Sequence, residues 1–140
     1  MRTLIAVLLM VAPVAAATHT DTELVAAVLI GEAGIDREPG LIAVMEVVNT
    51  RATRAGCSHA AVVKKPKQFS CLNGVSTAKL VAESRKHPLW LAAMHIAGNP
   101  VTTSYTRGAT HFESVHFPTP RWAHGRAVVA VVGRHKFYRL

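Results

Sequence analysis

From Leu24 to Ile30 the chain runs through an unbroken apolar stretch, LVAAVLI. Just before it, Thr20-Asp21-Thr22-Glu23 has capping-box spacing, a threonine followed three residues later by a glutamate. Together they predict a first helix from about Asp21 to Ala33, stopped by Gly34. "DREPG" then reads as a turn with Pro39 at the start of a second helix. That helix is predicted over roughly Gly40 to Ala55, with Leu41, Val44, Met45 and Val48 on one stripe at helical period and Gly56 at its end. Ser58 suits the cap of a short helix, Ser58 to Lys65, which Pro66 ends. Residues 66–76, PKQFSCLNGVS, carry no period and read as a loop. Two more helices follow, about Thr77 to Arg85 and Pro88 to Gly98, the second with Pro88 in its first turn.

Beyond Asn99 the pattern changes. ATHF suits a short strand, and RAVVAVV-GR-HKFYR reads as a β-hairpin around a Gly133-Arg134 turn. Helices first and a small sheet last predict an α+β domain. No internal repeat is visible.

The first 17 residues stand apart. Arg2 forms a short positive start, Leu4 to Ala12 an apolar stretch, and Ala15-Ala16-Ala17 a small-residue end. This is a secretory signal pattern with cleavage expected after Ala17, so the domain is expected over 18–140, periplasmic or extracellular. The rival reading is an uncleaved anchor, for which the stretch is short against the roughly 20 residues a span needs. No later apolar run is long enough to span, so no stable membrane insertion is expected after cleavage.

Composition narrows the picture further. The chain has 140 residues, half of them apolar, which is enough for one domain with a real core. The net charge is +8 with a pI near 10.2, and loss of residues 1–17 removes only Arg2 and leaves +7. Such charge draws a protein toward polyanions. The basic residues are scattered, without the aromatic-basic alternation of a nucleic-acid module, so no nucleic-acid partner is expected. Export with two cysteines, Cys57 and Cys71, predicts a disulfide between them. A loop of that size stabilises by about 3 kcal/mol in the chain-entropy picture.

One carboxylate interrupts the apolar register in a telling place. Glu32 follows the buried-looking run at the negative end of the first helix dipole. Apolar neighbours and the helix end both disfavour its charge, so a raised pKa is expected. A carboxylic acid of that kind cleaves glycosidic bonds by protonating the leaving oxygen. A solvated helix-end glutamate is the plainer alternative. His111, His116 and His124, with Glu113, lie in the last third, but they form no HExxH and no pair on one helical turn. No metal and no cofactor are expected. Phe69, Tyr105, Phe112, Phe117 and Trp122 fall in loop-like segments. Aromatic faces there either stack on sugar rings or fill a small core, and both readings stay open.

Six pieces occur in order: LIGEAG, REPGLIAVMEVVNTR, KQFSC, GATHF, PRWA and VVGRHKFY. The ordered set resembles the cell-wall hydrolase family typified by the spore cortex-lytic enzyme SleB, over about Thr22 to Arg139. The resemblance implies a lysozyme-like α+β fold, mainly helical with a small C-terminal antiparallel sheet. It implies peptidoglycan glycan strands as substrate and cleavage between N-acetylmuramic acid and N-acetylglucosamine. It places the catalytic acid of the GEA motif at Glu32. By position in matching motifs, Gln68, Phe69, His111, Phe112 and Trp122 are substrate-binding candidates. Two places depart from the family. Asn49-Thr50-Arg51 stands where an adjacent Asn-Arg is usual, and Glu113, Ser114 and Val115 follow the ATHF piece.

The chemistry so implied needs one carboxylate when the muramic acid's own 6-hydroxyl is the nucleophile. Hydrolysis by water calls for a second carboxylate at about 5–9.5 Å, and Glu46 and Glu113 are the tempting partners. A monomer is expected. Two other classes compete: a peptidoglycan-binding module that does not cleave, and a metal-dependent wall amidase or peptidase using the histidines. Turbidity loss on purified walls separates enzyme from binder, and a chelator separates the metal enzyme from the glycosidase.

Overall fold

The computed structural model describes residues 19–140. The expected export signal, residues 1–17, lies outside the described residues. Helix α1 (Asp21–Ala33) opens on the capping box the sequence predicts. The Thr20 hydroxyl accepts the Glu23 N–H at 3.1 Å, and the Glu23 carboxylate accepts the Thr20 N–H at 2.8 Å. Arg85, just past α4 (Thr77–Ser84), also reaches Glu23, at 2.7 Å. The Thr20 N–H, with Arg85 beside it, holds the Glu23 carboxyl below its ordinary value.

Every residue from Leu24 to Ile30 is buried. A helix apolar on all sides has to be enclosed. It is: α2 (Arg37–Ala55), α3 (His59–Val63), α4 and α5 (Trp90–Gly98) all pack on α1. Each fully buried Leu or Val of this run contributes about 1.5–3 kcal/mol. Leu41, Val44, Met45 and Val48, the predicted stripe of α2, enter the same core.

Two boundaries differ from expectation. The turn expected at "DREPG" lies earlier, as a 3-10 turn over Gly34–Asp36 that leads straight into α2, which starts at Arg37 instead of Gly40. Arg37 carries the break, with φ of +59°, and Pro39 sits in the first turn, where its missing N–H has no intrahelical partner to lose. Helix α5 starts at Trp90 rather than Pro88, because the His87 ring accepts the Leu89 N–H at 3.1 Å and holds a turn there.

Strands β1 (His111–Ser114), β2 (Val128–Val132) and β3 (His135–Tyr138) form an antiparallel sheet in the order β1-β3-β2. Ala43 and Val47, on a second side of α2, pack against Ala109 and Phe137 of this layer. So α2 is shared between the helical core and the sheet. The architecture is α+β, mainly helical with a small C-terminal sheet.

The hairpin turn is clamped to the α1–α2 junction. Asp36 accepts the Arg134 N–H at 3.0 Å and meets His135 Nδ1 at 2.7 Å. Gly133 has φ of +55°, and a Cβ there would lie 2.4 Å from Asp36 Cγ. Gly133→Ala is therefore expected to lose about 2–4 kcal/mol, from the left-handed backbone and the clash together. Urea unfolding measures this, and an unchanged midpoint would show that the clamp gives way freely.

Candidate active site

The last turn of α1 is where the buried helix reaches solvent, and Glu32 is half-buried there. It lines a groove of about 600 Å³ between the helical layer and the sheet. The carboxylate is held in place. Its Oε1 accepts the Cys71 N–H at 2.9 Å, and the Ser70 hydroxyl donates at 3.2 Å to Oε1 and 3.4 Å to Oε2. Gly31 makes this possible. A Cβ on it would lie 2.6 Å from Cys71 Cβ, so any larger residue would push the Ser70–Leu72 turn off the helix end. The glycine before Glu32 is needed for that close approach.

The expected site residues separate in space. Gln68 and Phe112 line the groove with Glu32. Phe69 is 2% exposed and belongs to the core, its ring 6.3 Å from that of Phe112 and beneath the Arg51 guanidinium at 5.5 Å. It supports the wall from behind instead of facing the groove. His111 borders an adjoining pocket of about 380 Å³. Trp122 packs at a tilt against His111 at 5.2 Å and edge-on against Tyr138 at 5.3 Å, away from the Glu32 groove.

Neither tempting second carboxylate is an ordinary surface group. Glu46 is 4% exposed and accepts from the Thr103 hydroxyl, the Tyr105 N–H and both the N–H and hydroxyl of Thr106. It anchors residues 103–106 and does not line the groove. Glu113 does line it. Its Oε1 accepts the Tyr138 hydroxyl, while Oε2 is buried with no partner among the described residues. Burial and the Glu113 carboxylate push the Tyr138 phenol up to about 12.

Sequence reasoning passed over several groove residues. Ser70 lay inside the quoted KQFSC piece, but nothing local marked its hydroxyl as a donor to Glu32. Arg51 donates from Nε to the Thr110 carbonyl at 2.6 Å and from Nη1 to Gln68 at 3.1 Å, fixing the loop against the strand entry. Asn49 is committed elsewhere, its Oδ1 lying 3.0 Å from His59 Nε2. Ile35, Lys67, His116 and Phe117 also line the groove.

The expected disulfide is not formed: Cys57 and Cys71 are both free. Cys57 follows the left-handed Gly56 that ends α2. Cys71 is turned toward α1, its Sγ 4.0 Å from the Val28 carbonyl. Burial, and then the neighbouring Glu32, push the Cys71 thiol well up, which keeps it protonated and poorly nucleophilic. Among the described residues no three His, Cys, Asp or Glu side chains gather as a metal set, and no helix is long and apolar enough to cross a membrane.

The sequence profile described as Cell Wall Hydrolase matches residues 36–138, well over half of the chain. The chain belongs to the cell wall hydrolase family. The matched span begins just after Glu32, so the part assigned to Glu32 rests on the groove geometry and the GEA motif. This cell wall hydrolase is similar in fold to the catalytic domain of SleB from Bacillus cereus, at 22% identity and a TM-score of 0.59, covering 85% of this chain and 89% of that one. It is also similar to the catalytic domain of the germination-specific lytic transglycosylase SleB from Bacillus anthracis. There the identity is 21% and the TM-score 0.61, over 85% of this chain and 93% of that one. No curated protein matches significantly.

Proposed function

We propose that this cell wall hydrolase cleaves peptidoglycan strands between N-acetylmuramic acid and N-acetylglucosamine, with Glu32 as its single acid and base. The observation that carries the reading is the Glu32 carboxyl, oriented by the Cys71 N–H and the Ser70 hydroxyl on the wall of an open groove. The family membership and the printed activity of the Bacillus anthracis neighbour support it.

The reaction runs in two proton transfers. Glu32 gives its proton to the glycosidic oxygen as the bond from that oxygen to C1 of the muramic acid breaks. Positive charge builds on that sugar ring in an oxocarbenium-like transition state. The same sugar's 6-hydroxyl then bonds to C1 and returns a proton to Glu32, which restores the acid and leaves a 1,6-anhydro end. A tethered nucleophile has an effective concentration that water lacks, so no second carboxylate is needed. Gln68 and Phe112 border the bound sugars, and Phe69 holds the Phe112 wall in place. His111 acts from the adjoining pocket, and Trp122 buttresses His111. The protein acts as a monomer outside the cytoplasm, after removal of residues 1–17.

Mass spectrometry of fragments from purified walls tests this reading. The expected fragments end in 1,6-anhydromuramic acid, lighter by one water than reducing ends and inert to borohydride. Reducing muramic acid ends would overturn transglycosylation and make water the nucleophile. Glu113, which lines the groove, would then be the second carboxylate, and Glu46 would not.

A further inference from the structure

The pocket beside the groove is the least explained feature of the molecule. It holds about 380 Å³ and adjoins the Glu32 groove, the hydrogen-bonded Arg51–Gln68 pair lining both spaces. Arg51, Arg54, Lys65 and His111 border it, and no Asp or Glu side chain does. Lys64 meets Asp21 and Lys86 meets Glu83, each at 3.4 Å, and Arg85 meets Glu23 at 2.7 Å. Arg51, Arg54 and Lys65 form no ion pair with an Asp or Glu among the described residues. Three cations facing one cavity repel one another, and the oxygens of Thr110, Gln68 and Leu140 offset only part of that repulsion.

Arg51 is also built into the wall. It is half-buried, held by the Thr110 carbonyl and Gln68, and its Nη2 has no protein partner among the described residues. Arg54 gives Nη1 to the main-chain oxygen of Leu140 at 2.9 Å, and the Lys65 ammonium has no hydrogen-bond partner among the described residues. A planar guanidinium fixed through some of its donors, with others free, is suited to a carboxylate.

Resting on the glycosidase reading, we propose that this side pocket binds the carboxylate-bearing peptide stem carried by the muramic acid in the groove. The stem is favoured over other anions because it is attached to the sugar whose bond is cut, and the pocket lies on the other side of the Arg51–Gln68 pair that lines the groove. The phosphates of an anionic wall polymer share the same chemistry, so the test separates the two sources. Burial, and then Arg51 and Arg54, hold His111 below the ordinary histidine value. An anion in the pocket offsets the arginine charges and moves that value back up, which makes His111 a reporter of occupancy.

The experiment compares the full protein with the double variant Arg54→Gln/Lys65→Gln, both side chains being exposed. Equilibrium binding is measured for a soluble disaccharide bearing a tripeptide stem, the same disaccharide without the stem, and a glycerol-phosphate oligomer. The parent is expected to bind the stem-bearing sugar about tenfold more tightly than the bare one. That preference should collapse in the double variant, at an unchanged Tm. The NMR titration of His111 in the parent should shift upward with the stem-bearing sugar alone. Equal affinity for the two sugars, or a preference that survives in the double variant, overturns the proposal. Tighter variant-sensitive binding of the phosphate oligomer overturns the stem assignment. Binding is read without turnover. Wall turbidity on the same samples shows separately whether the glycosidase reading fails.

Discussion

Glu32→Gln should fold like the parent, still sediment with purified walls, and lose wall-lytic activity by about 10²–10⁴-fold, the usual worth of a positioned acid. The amide keeps the shape of the side chain, and its oxygen still accepts the Cys71 N–H that now meets Oε1 at 2.9 Å. Its nitrogen remains able to donate to the Ser70 oxygen once that hydroxyl turns. What it lacks is a proton that can be given to a leaving oxygen and taken back. Turbidity loss measures the rate, thermal unfolding checks the fold, and wall sedimentation checks binding. A variant that keeps its specific activity but melts early would show that Glu32 is a structural tie between α1 and the Ser70–Leu72 turn. A variant that keeps both would remove it from the chemistry.

Glu46→Ala is expected to have the largest effect on stability, about 3–5 kcal/mol, the range for removing one partner from a buried hydrogen-bonded charge. In a domain of this size that lowers Tm by on the order of 10–20 °C. Glu46 receives the Tyr105 N–H at 2.8 Å, the Thr106 N–H at 2.7 Å and the Thr106 hydroxyl at 2.7 Å, and Thr106 is fully buried. Removing the carboxylate leaves these donors without acceptors and a hole beside α2. Residues 103–106 lead toward β1, so their loosening reaches the groove wall indirectly. Urea unfolding, followed by circular dichroism, measures the loss. A variant with unchanged stability and no activity would contradict the anchoring role and return Glu46 to the list of reacting groups.

Glu32 and Glu46 look alike along the chain, each next to apolar residues in a helix. Their different fates show where local pattern stops being informative. What the sequence determined by itself is set by interactions a few residues long. The Thr20–Glu23 box, the Ser58 cap, the left-handed Gly56 and the Gly133-Arg134 turn all act within one turn of backbone. The helical period placed Leu41, Val44, Met45 and Val48 in the core, and the apolar run of α1 required a helix enclosed on all sides. The ordered motifs carried the family and drew attention to Glu32.

Only the tertiary structure decided which polar groups meet. Glu32 meets Cys71 and Ser70 across 38–39 positions, Glu46 meets residues 103–106 across 57–60, and Asp36 meets Arg134 and His135 across 98–99. No local periodicity carries such distances, because helix and strand patterns report how deep a side chain is buried and not which partner it finds there. For the same reason Phe69, an aromatic in a loop-like segment, turned out to be core, and Cys71 turned toward Val28 instead of Cys57. The convergence of Arg51, Arg54 and Lys65 with His111 on one pocket likewise exists only once the end of α2, the segment after α3 and the entry to β1 are packed together.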